Sequence, residues 1–170
     1  TPLYYASMGA KVFAFEPIKT HFDAMIRNIS LNPELSERIV PINAAIGKDG
    51  PLKFYESKTN ELAGGASFVY NTHGKNVKLS HARGYSLESA FKEFNINHVD
   101  LLKMDCKGCE FLLTENTLKN VDMVKIEFLS FDNCVSLSIK PESKSSRMST
   151  WVLTIRISSA IDSRILKNAD

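Results

Sequence analysis

The first third of the chain alternates short apolar runs with segments that are apolar on one side only. Residues 1–9 predict a helix that Gly9 ends, and residues 11–17, KVFAFEP, predict a buried strand stopped by Pro17. Residues 20–32 then repeat apolar positions at spacings of three, four and seven, which predicts a helix that packs on a sheet. Pro17 suits the first turn of that helix, and residues 38–47, RIVPINAAIG, predict the next strand.

The remainder continues the alternation after a turn-rich insertion. Residues 48–83 contain three short strand-like pieces separated by turn sequences, which predicts a hairpin or flap. A helix, a strand, a second helix and a second strand are then predicted at 85–96, 99–105, 109–118 and 123–131, with Ser86 as the first helix cap. This order predicts an α/β fold, a mostly parallel sheet with helices on both faces.

The end of the chain is different in character. Residues 136–149 are rich in serine and charge, which predicts a linker, whereas residues 151–158, WVLTIRIS, alternate as a strand does. We therefore expect a main domain over residues 1–135. Residues 136–170 are expected to be a linker followed by a further strand or helix, which can belong to the same domain.

Composition narrows the classes of function. The chain has 170 residues, of which 44% are hydrophobic, and this is about one domain's worth. Its 21 basic and 19 acidic residues are scattered, so nothing indicates nucleic-acid or membrane-surface binding. No apolar run approaches the roughly 20 residues of a membrane span, and three cysteines make no disulfide framework. The expectation is a soluble, cytoplasmic protein.

Polar residues end the predicted strands. Ligands of open parallel sheets bind beyond the carboxyl ends of the strands, where Glu16, Asn43 to Ala45, Asp105 and Glu127 are predicted to lie. An acid that ends the second strand of a nucleotide-binding sheet accepts both hydrogen bonds of a ribose diol. Glu16 is a candidate for that role, and the alternative is that Glu16 is an exposed charge at a strand end.

Residues 101–111, LLKMDCKGCEF, contain two competing pairs of reactive residues. Cys106 and Cys109 have the C-x-x-C spacing of a redox or zinc site, while Asp105 and Glu110 are carboxylates at a predicted strand-to-helix junction. The redox alternative lacks a nearby proline strand, and the histidines show no paired zinc-ligand spacing. We therefore interpret the thiols as small buried residues, and we expect no metal.

Four segments in order resemble one known family. VFAFEP, RNISLN, PINAAIG and LLKMDCKGCEFLL are similar to motifs of the FkbM family of S-adenosylmethionine-dependent methyltransferases, over roughly residues 2–131. The resemblance implies a seven-stranded, Rossmann-like class I fold with a doubly wound sheet. It also implies S-adenosyl-L-methionine as cofactor and O-methylation of a small molecule or glycan.

The resemblance also implies roles for individual residues. Glu16, followed by Pro17, would bind the cofactor ribose, and Asn43 with Ala44 would contact the adenine edge. Asp105 would lie near the sulfonium end. Lys103 and Glu110 occupy family motif positions, and with Asp105 they form the candidate catalytic set. Either Asp105 or Glu110 would act as general base; the alternative for both is a charge that favours a helix dipole.

Two departures from the family pattern suggest alternatives. Lys107 stands where the family has an acid, and the first strand with its glycine-rich loop would precede Thr1, so the chain resembles a fragment. A non-catalytic binding module is therefore the second hypothesis, and a thiol–disulfide protein is the third. Without its first strand the sheet is expected to keep an empty strand-width gap between residues 11–17 and 99–105, or to collapse there.

Overall fold

A computed structural model of the chain describes residues 1–57, 66–67, 77–106, 113–129, 134–139 and 151–157. These residues form an α/β fold with two sheets. The helices are α1 (Pro2–Ser7), α2 (Lys19–Ser30), α3 (Pro33–Ser36), α4 (Leu87–Glu93) and α5 (Glu115–Leu118). The strands are β1 (Lys11–Phe15), β2 (Ile39–Ile42), β3 (Ala45–Ile46), β4 (Gly50–Ser57), β5 (Ala66–Ser67), β6 (Val77–Tyr85), β7 (Leu101–Cys106), β8 (Val124–Leu129), β9 (Cys134–Ile139) and β10 (Trp151–Ile157).

The six-stranded sheet has the order β2-β1-β10-β7-β8-β9. Every neighbouring pair is parallel except β8 and β9, which are antiparallel. The strand predicted at the end of the chain therefore lies in the middle of the sheet. Ile155 of β10 is opposite Phe15 of β1 on one side and Met104 of β7 on the other. The expectation of an empty gap or a collapse is wrong. β1 and β7 are separated by the width of one strand, as the gap would require, but β10 fills that space and pairs with both inner edges.

Alternate residues of the central strands pack into two separate cores. Phe13, Phe15, Leu102 and Met104 belong to the larger core, which includes Leu87 and Ala90 of α4. Val12 and Ala14 belong to the smaller core, with Ala6 of α1 and Ile29 of α2. Because neighbouring residues of a strand point to opposite faces, these two cores lie on opposite faces of the sheet. Helical residues contribute to both.

The smaller sheet has the order β3-β6-β4-β5 and grows out of the end of β2. β4 and β6 form the antiparallel hairpin that the turn-rich insertion predicts, and β3 pairs in parallel with the end of β6. The single strand predicted over 38–47 is wrong, because residues 43–44 separate β2 from β3 and the two belong to different sheets. This break places Asn43 and Ala44 between the sheets.

Three further predicted boundaries need correction. α2 begins at Lys19 after the extended Ile18, so Pro17 lies before the helix and not in its first turn. The helix predicted over 109–118 is not continuous, since Thr114 is extended and caps a short α5; residues 107–112 lie outside the described range. The predicted linker begins instead with β9, paired along β8. Among the described helices none is long and apolar enough to cross a bilayer.

Asp49 connects the end of β3 to the start of α4. Its carboxylate accepts hydrogen bonds from the Ser86 backbone N–H at 2.9 Å, the Ser86 hydroxyl at 3.1 Å and the Ser89 hydroxyl at 2.8 Å. The Ser86 hydroxyl also accepts from the Ser89 N–H as the helix cap that the sequence predicts. The bond from the Ser86 backbone N–H, followed by that from Ser89, holds the pKa of Asp49 below its ordinary value of 3.8.

We expect Asp49→Ala to lower the thermal midpoint at neutral pH, and to do so less in acid. A carboxyl whose pKa is depressed by folding stabilises the fold above its unfolded pKa, and this contribution is lost as the pH falls through the folded pKa. Urea unfolding of parent and variant should therefore differ at neutral pH and converge below pH 3.8. Asp23→Ala is a matched control, because Asp23 pairs only with exposed Lys19 on the same helix. A difference that stayed constant down to acid pH would contradict this role.

Gly84 in β6 has no room for a side chain. A Cβ there would lie 2.2 Å from the Lys48 backbone oxygen and 2.6 Å from Leu52 Cγ. Gly84→Ala is therefore expected to reduce the free energy of unfolding by about 1–3 kcal/mol, the usual effect of overpacking. Leu79→Ala in the same strand should have a small effect, because Leu79 is half exposed. Equal urea midpoints for Gly84→Ala and the parent would show that Gly84 packs less closely against Lys48 and Leu52 than these distances indicate.

Candidate functional site

Glu16 is a buried acid at the carboxyl end of β1. Its backbone N–H donates to the Ile42 oxygen at 3.0 Å, which continues the pairing with β2. The residue is only 7% exposed, and Oε1 accepts from the Ile18 N–H at 2.9 Å. The alternative of an exposed charge at a strand end is therefore wrong. Because burying a carboxylate is costly without hydrogen bonds, the bond from the Ile18 N–H helps to hold this side chain in place.

Asn43 joins the ends of the first two strands. Its Nδ2 donates to the backbone oxygens of Glu16 at 2.8 Å and Pro17 at 3.3 Å. Asn43 itself is exposed, while Ala44, which follows it in the chain, and Pro17, whose oxygen accepts its second hydrogen bond, are buried. The side-chain amide therefore fixes the position of the Glu16 backbone and leaves Oδ1 as its hydrogen-bond acceptor. The structure brings together two pairs of sequence neighbours, Glu16 with Pro17 and Asn43 with Ala44.

Lys103 and Asp105 lie on the other side of the central strand. Lys103 is 8% exposed and Asp105 is half-buried. By the alternation of β7 they share the sheet face of Leu101, which packs with the smaller core. Glu110 lies outside the described residues.

The register places Glu16 and Asp105 at the same edge. Phe15 and Met104 are both opposite Ile155, so Glu16 and Asp105 each lie one residue further along. Two strand spacings separate their backbones, which is about 9.6 Å. Both residues are on the face of the sheet that Val12 and Ala14 occupy in β1. The two acids therefore lie on one face at the carboxyl end of the sheet, on either side of the end of β10.

His21 was not identified as a site residue from the sequence. Its Nδ1 is 4.0 Å from Glu16 Oε1, and its side chain is 17% exposed. The signal for it was available: the residue lies on the first turns of the helix that follows Glu16, so the two must be close.

An aromatic cluster fixes the end of β1. Phe15, Tyr85 and Phe94 form three mutual edge-to-face contacts with ring centroids 5.6 to 6.4 Å apart. Arg83 stacks on Tyr85 at 4.5 Å and lies 3.9 Å from Glu93. Since Phe15 directly precedes Glu16, this cluster holds the strand end and the hairpin to one position.

The structure describes one residue of the candidate thiol pair. Cys106 is the last residue of β7, and Cys109 lies outside the described residues. The interpretation of the thiols as small buried residues stays a prediction.

The comparisons with known proteins decide the family. A family model described as the methyltransferase FkbM domain matches residues 1–138. The chain belongs to the FkbM methyltransferase family. Searches of curated proteins and of solved structures found no match. The matched range contains every described element from α1 to β8 and most of β9, and β10 lies beyond it.

Membership of the FkbM family supports a methyltransferase. The motif positions of the family that carry the resemblance include Glu16 and Asp105, which the fold places on either side of one strand. Thiol–disulfide exchange has no comparable support. The acids are accordingly the residues to test first.

Asn43→Asp is expected to destabilise the FkbM chain. The variant keeps the side-chain shape but loses the donor to the Glu16 and Pro17 oxygens and adds a charge close to Glu16. The expected loss in the free energy of unfolding is about 0.5–1.5 kcal/mol, the range for an intramolecular hydrogen bond. Asn116→Asp in the first turn of α5 is a matched control, since Asn116 is exposed and accepts a hydrogen bond from the nearby Lys119 side chain. Equal urea midpoints for the two variants would contradict the role of Asn43.

Proposed function

We propose that this FkbM protein is an S-adenosyl-L-methionine-dependent methyltransferase that methylates a hydroxyl oxygen of a small molecule or glycan. The observation that carries the proposal is the buried, backbone-anchored carboxylate of Glu16 beside Asn43, at the carboxyl end of two adjacent parallel strands. Open parallel sheets bind nucleotides at this end.

The residues present fit the nucleoside half of the cofactor. Glu16 would accept hydrogen bonds from the ribose diol, and the anchored Oε1 leaves the carboxylate fixed for that role. Asn43 donates to backbone oxygens with its Nδ2, so Oδ1 is the atom that it would offer to the adenine amino group. Ala44 is 1% exposed and would contribute backbone contacts, and Pro17 would border the ribose.

Asp105 and Lys103 would act at the acceptor side of the cleft. When bound, the cofactor supplies an electrophilic methyl group. The chain would contribute alignment of the acceptor hydroxyl, an effect of proximity that can supply roughly 7–11 kcal/mol. Asp105, or Glu110, would accept the hydroxyl proton, which adds about 10²- to 10⁴-fold. Lys103 is buried, on the same face of β7 as Asp105.

The finer fold belongs to the same proposal. A doubly wound, Rossmann-like sheet has the strand order 3-2-1-4-5-6. The observed order β2-β1-β10-β7-β8-β9 matches it when β10 takes the first position, with β9 antiparallel at the edge. Helices contribute to the cores on both faces, as a doubly wound sheet requires.

Glu16→Ala is expected to weaken S-adenosyl-L-methionine binding by roughly 1.5–3 kcal/mol, the range for hydrogen bonds to a charged group. Glu16→Gln should lie in between, because the amide keeps an acceptor for the Ile18 N–H. Isothermal titration calorimetry measures both. Thermal midpoints of the same samples separate a loss of binding from a loss of folding. Unchanged affinity in both variants would remove Glu16 from the site.

A non-catalytic binding module is the alternative that the same experiment can distinguish. Cofactor titration first establishes binding, and a panel of hydroxyl acceptors then tests transfer with labelled cofactor. Asp105→Asn should keep cofactor binding within a few-fold and abolish most transfer, because the amide cannot accept the proton. Binding without transfer to any acceptor in the parent chain would favour the module.

A further inference from the structure

Three potential metal ligands converge at the end of the sheet opposite the candidate site. His98 and Asp100 lie just before β7, and Asp122 lies just before β8. His98 Nε2 is 3.0 Å from Asp122 Oδ2 and 3.9 Å from Asp100 Oδ1. One ligand atom from each residue lies within 4.8 Å of the other two. The side chains of His98, Asp100 and Asp122 are 30%, 21% and 41% exposed, so solvent ions can reach them.

The backbone fixes the spacing of these ligands. Val99 and Val121 form a parallel bridge between the two segments. The Val99 N–H donates to the Asn120 oxygen at 2.8 Å, and the Asp122 N–H donates to the Val99 oxygen at 2.9 Å. Both valines are buried, at 1% and 4% exposure. The ligands therefore stand on rigid backbone on either side of a core contact, and binding an ion requires little rearrangement.

The atom separations suit a single small ion. Nitrogen and oxygen ligands bind zinc at about 2.0–2.2 Å, which places pairs of ligands around one ion about 3.0–4.2 Å apart. The two measured separations from His98 Nε2 both fall in this range.

The donor set selects the class of ion. Magnesium and calcium take oxygen ligands, whereas one imidazole nitrogen with carboxylates is typical of zinc and its first-row neighbours. Two carboxylates also balance the charge of a divalent ion. We propose that His98, Asp100 and Asp122 bind a divalent transition-metal ion of the zinc class, with water completing its coordination.

The sequence predicted no metal, because its histidines show no pair at the short spacing of zinc ligands. His98 and Asp122 are 24 residues apart and meet only through the pairing of two segments. This cluster is distinct from the proposed methyl-transfer site. Asp105 is near the far end of β7, five residues after Asp100. At 3.3 Å per residue, the two are about 16 Å apart along the strand. A bound ion would tie together the starts of β7 and β8, so its role is to stabilise the sheet.

Zinc titration of the chelator-treated, 170-residue chain tests the proposal. We expect one zinc ion bound per chain and a thermal midpoint that rises with zinc concentration, since the ion binds the folded state. His98→Ala and Asp100→Asn should each lower the affinity at least about tenfold, because even partners outside the ligand set change it by 10- to 100-fold. His81→Ala is the matched control, an exposed histidine in β6 that should leave binding unchanged.

Cobalt binding separates this site from the three cysteines of the chain. Thiolate coordination gives Co²⁺ an intense near-ultraviolet charge-transfer band, which nitrogen and oxygen ligands do not. The expected spectrum lacks that band and is lost in His98→Ala. If His98→Ala does not fold, Asp100→Asn decides, because it keeps the 3.0 Å contact of His98 with Asp122. Absence of zinc binding, or equal affinity in the parent and Asp100→Asn, would overturn the proposal.

Discussion

The structure depends on the hydrogen bonds that β10 makes to both of its neighbours. β1 and β7 each present a row of backbone donors and acceptors on their inner edges, and an unpaired buried edge is costly and prone to aggregate. β10 pairs in parallel with both strands over most of their length. β1 and β7 are thereby held two strand spacings apart, and the sheet between the two cores is continuous. This pairing determines the separation of Glu16 and Asp105.

Glu16 is a buried acid that several elements hold in place. A carboxylate of so little exposure requires donors that hold it in place, and the Ile18 N–H at the start of α2 provides one of them. The strand end is in turn held by Asn43 from the neighbouring strand and by the aromatic cluster around Phe15. Hydrogen bonding and packing therefore converge on one residue from different elements. Such preorganisation is what a binding group needs if it is to spend little free energy on ordering itself when a ligand arrives.

The sequence was a good guide where periodicity and local chemistry agree. The strand before Glu16, the Ser86-capped helix and the hairpin of the insertion were all predicted, because each combines a clear period with a turn or cap residue. The split of residues 38–47 into two sheets was not predicted, since an apolar run looks the same on either side of a break at Asn43. The meeting of His98 with Asp122 depends on the pairing of two segments that are distant in sequence, which no local pattern encodes.

The place of β10 was also beyond local pattern, although its register explains why that strand fits. Its polar residues Thr154 and Arg156 are opposite Lys103 and Asp105, and its apolar Ile155 is opposite Met104. Polar residue types are thus opposite polar ones, and apolar types opposite apolar ones, along the paired strands. A slip of one residue would set unlike residue types opposite one another. The family match ends before β10. Residues outside the matched range therefore complete the centre of the sheet, in a register that sets like residue types side by side.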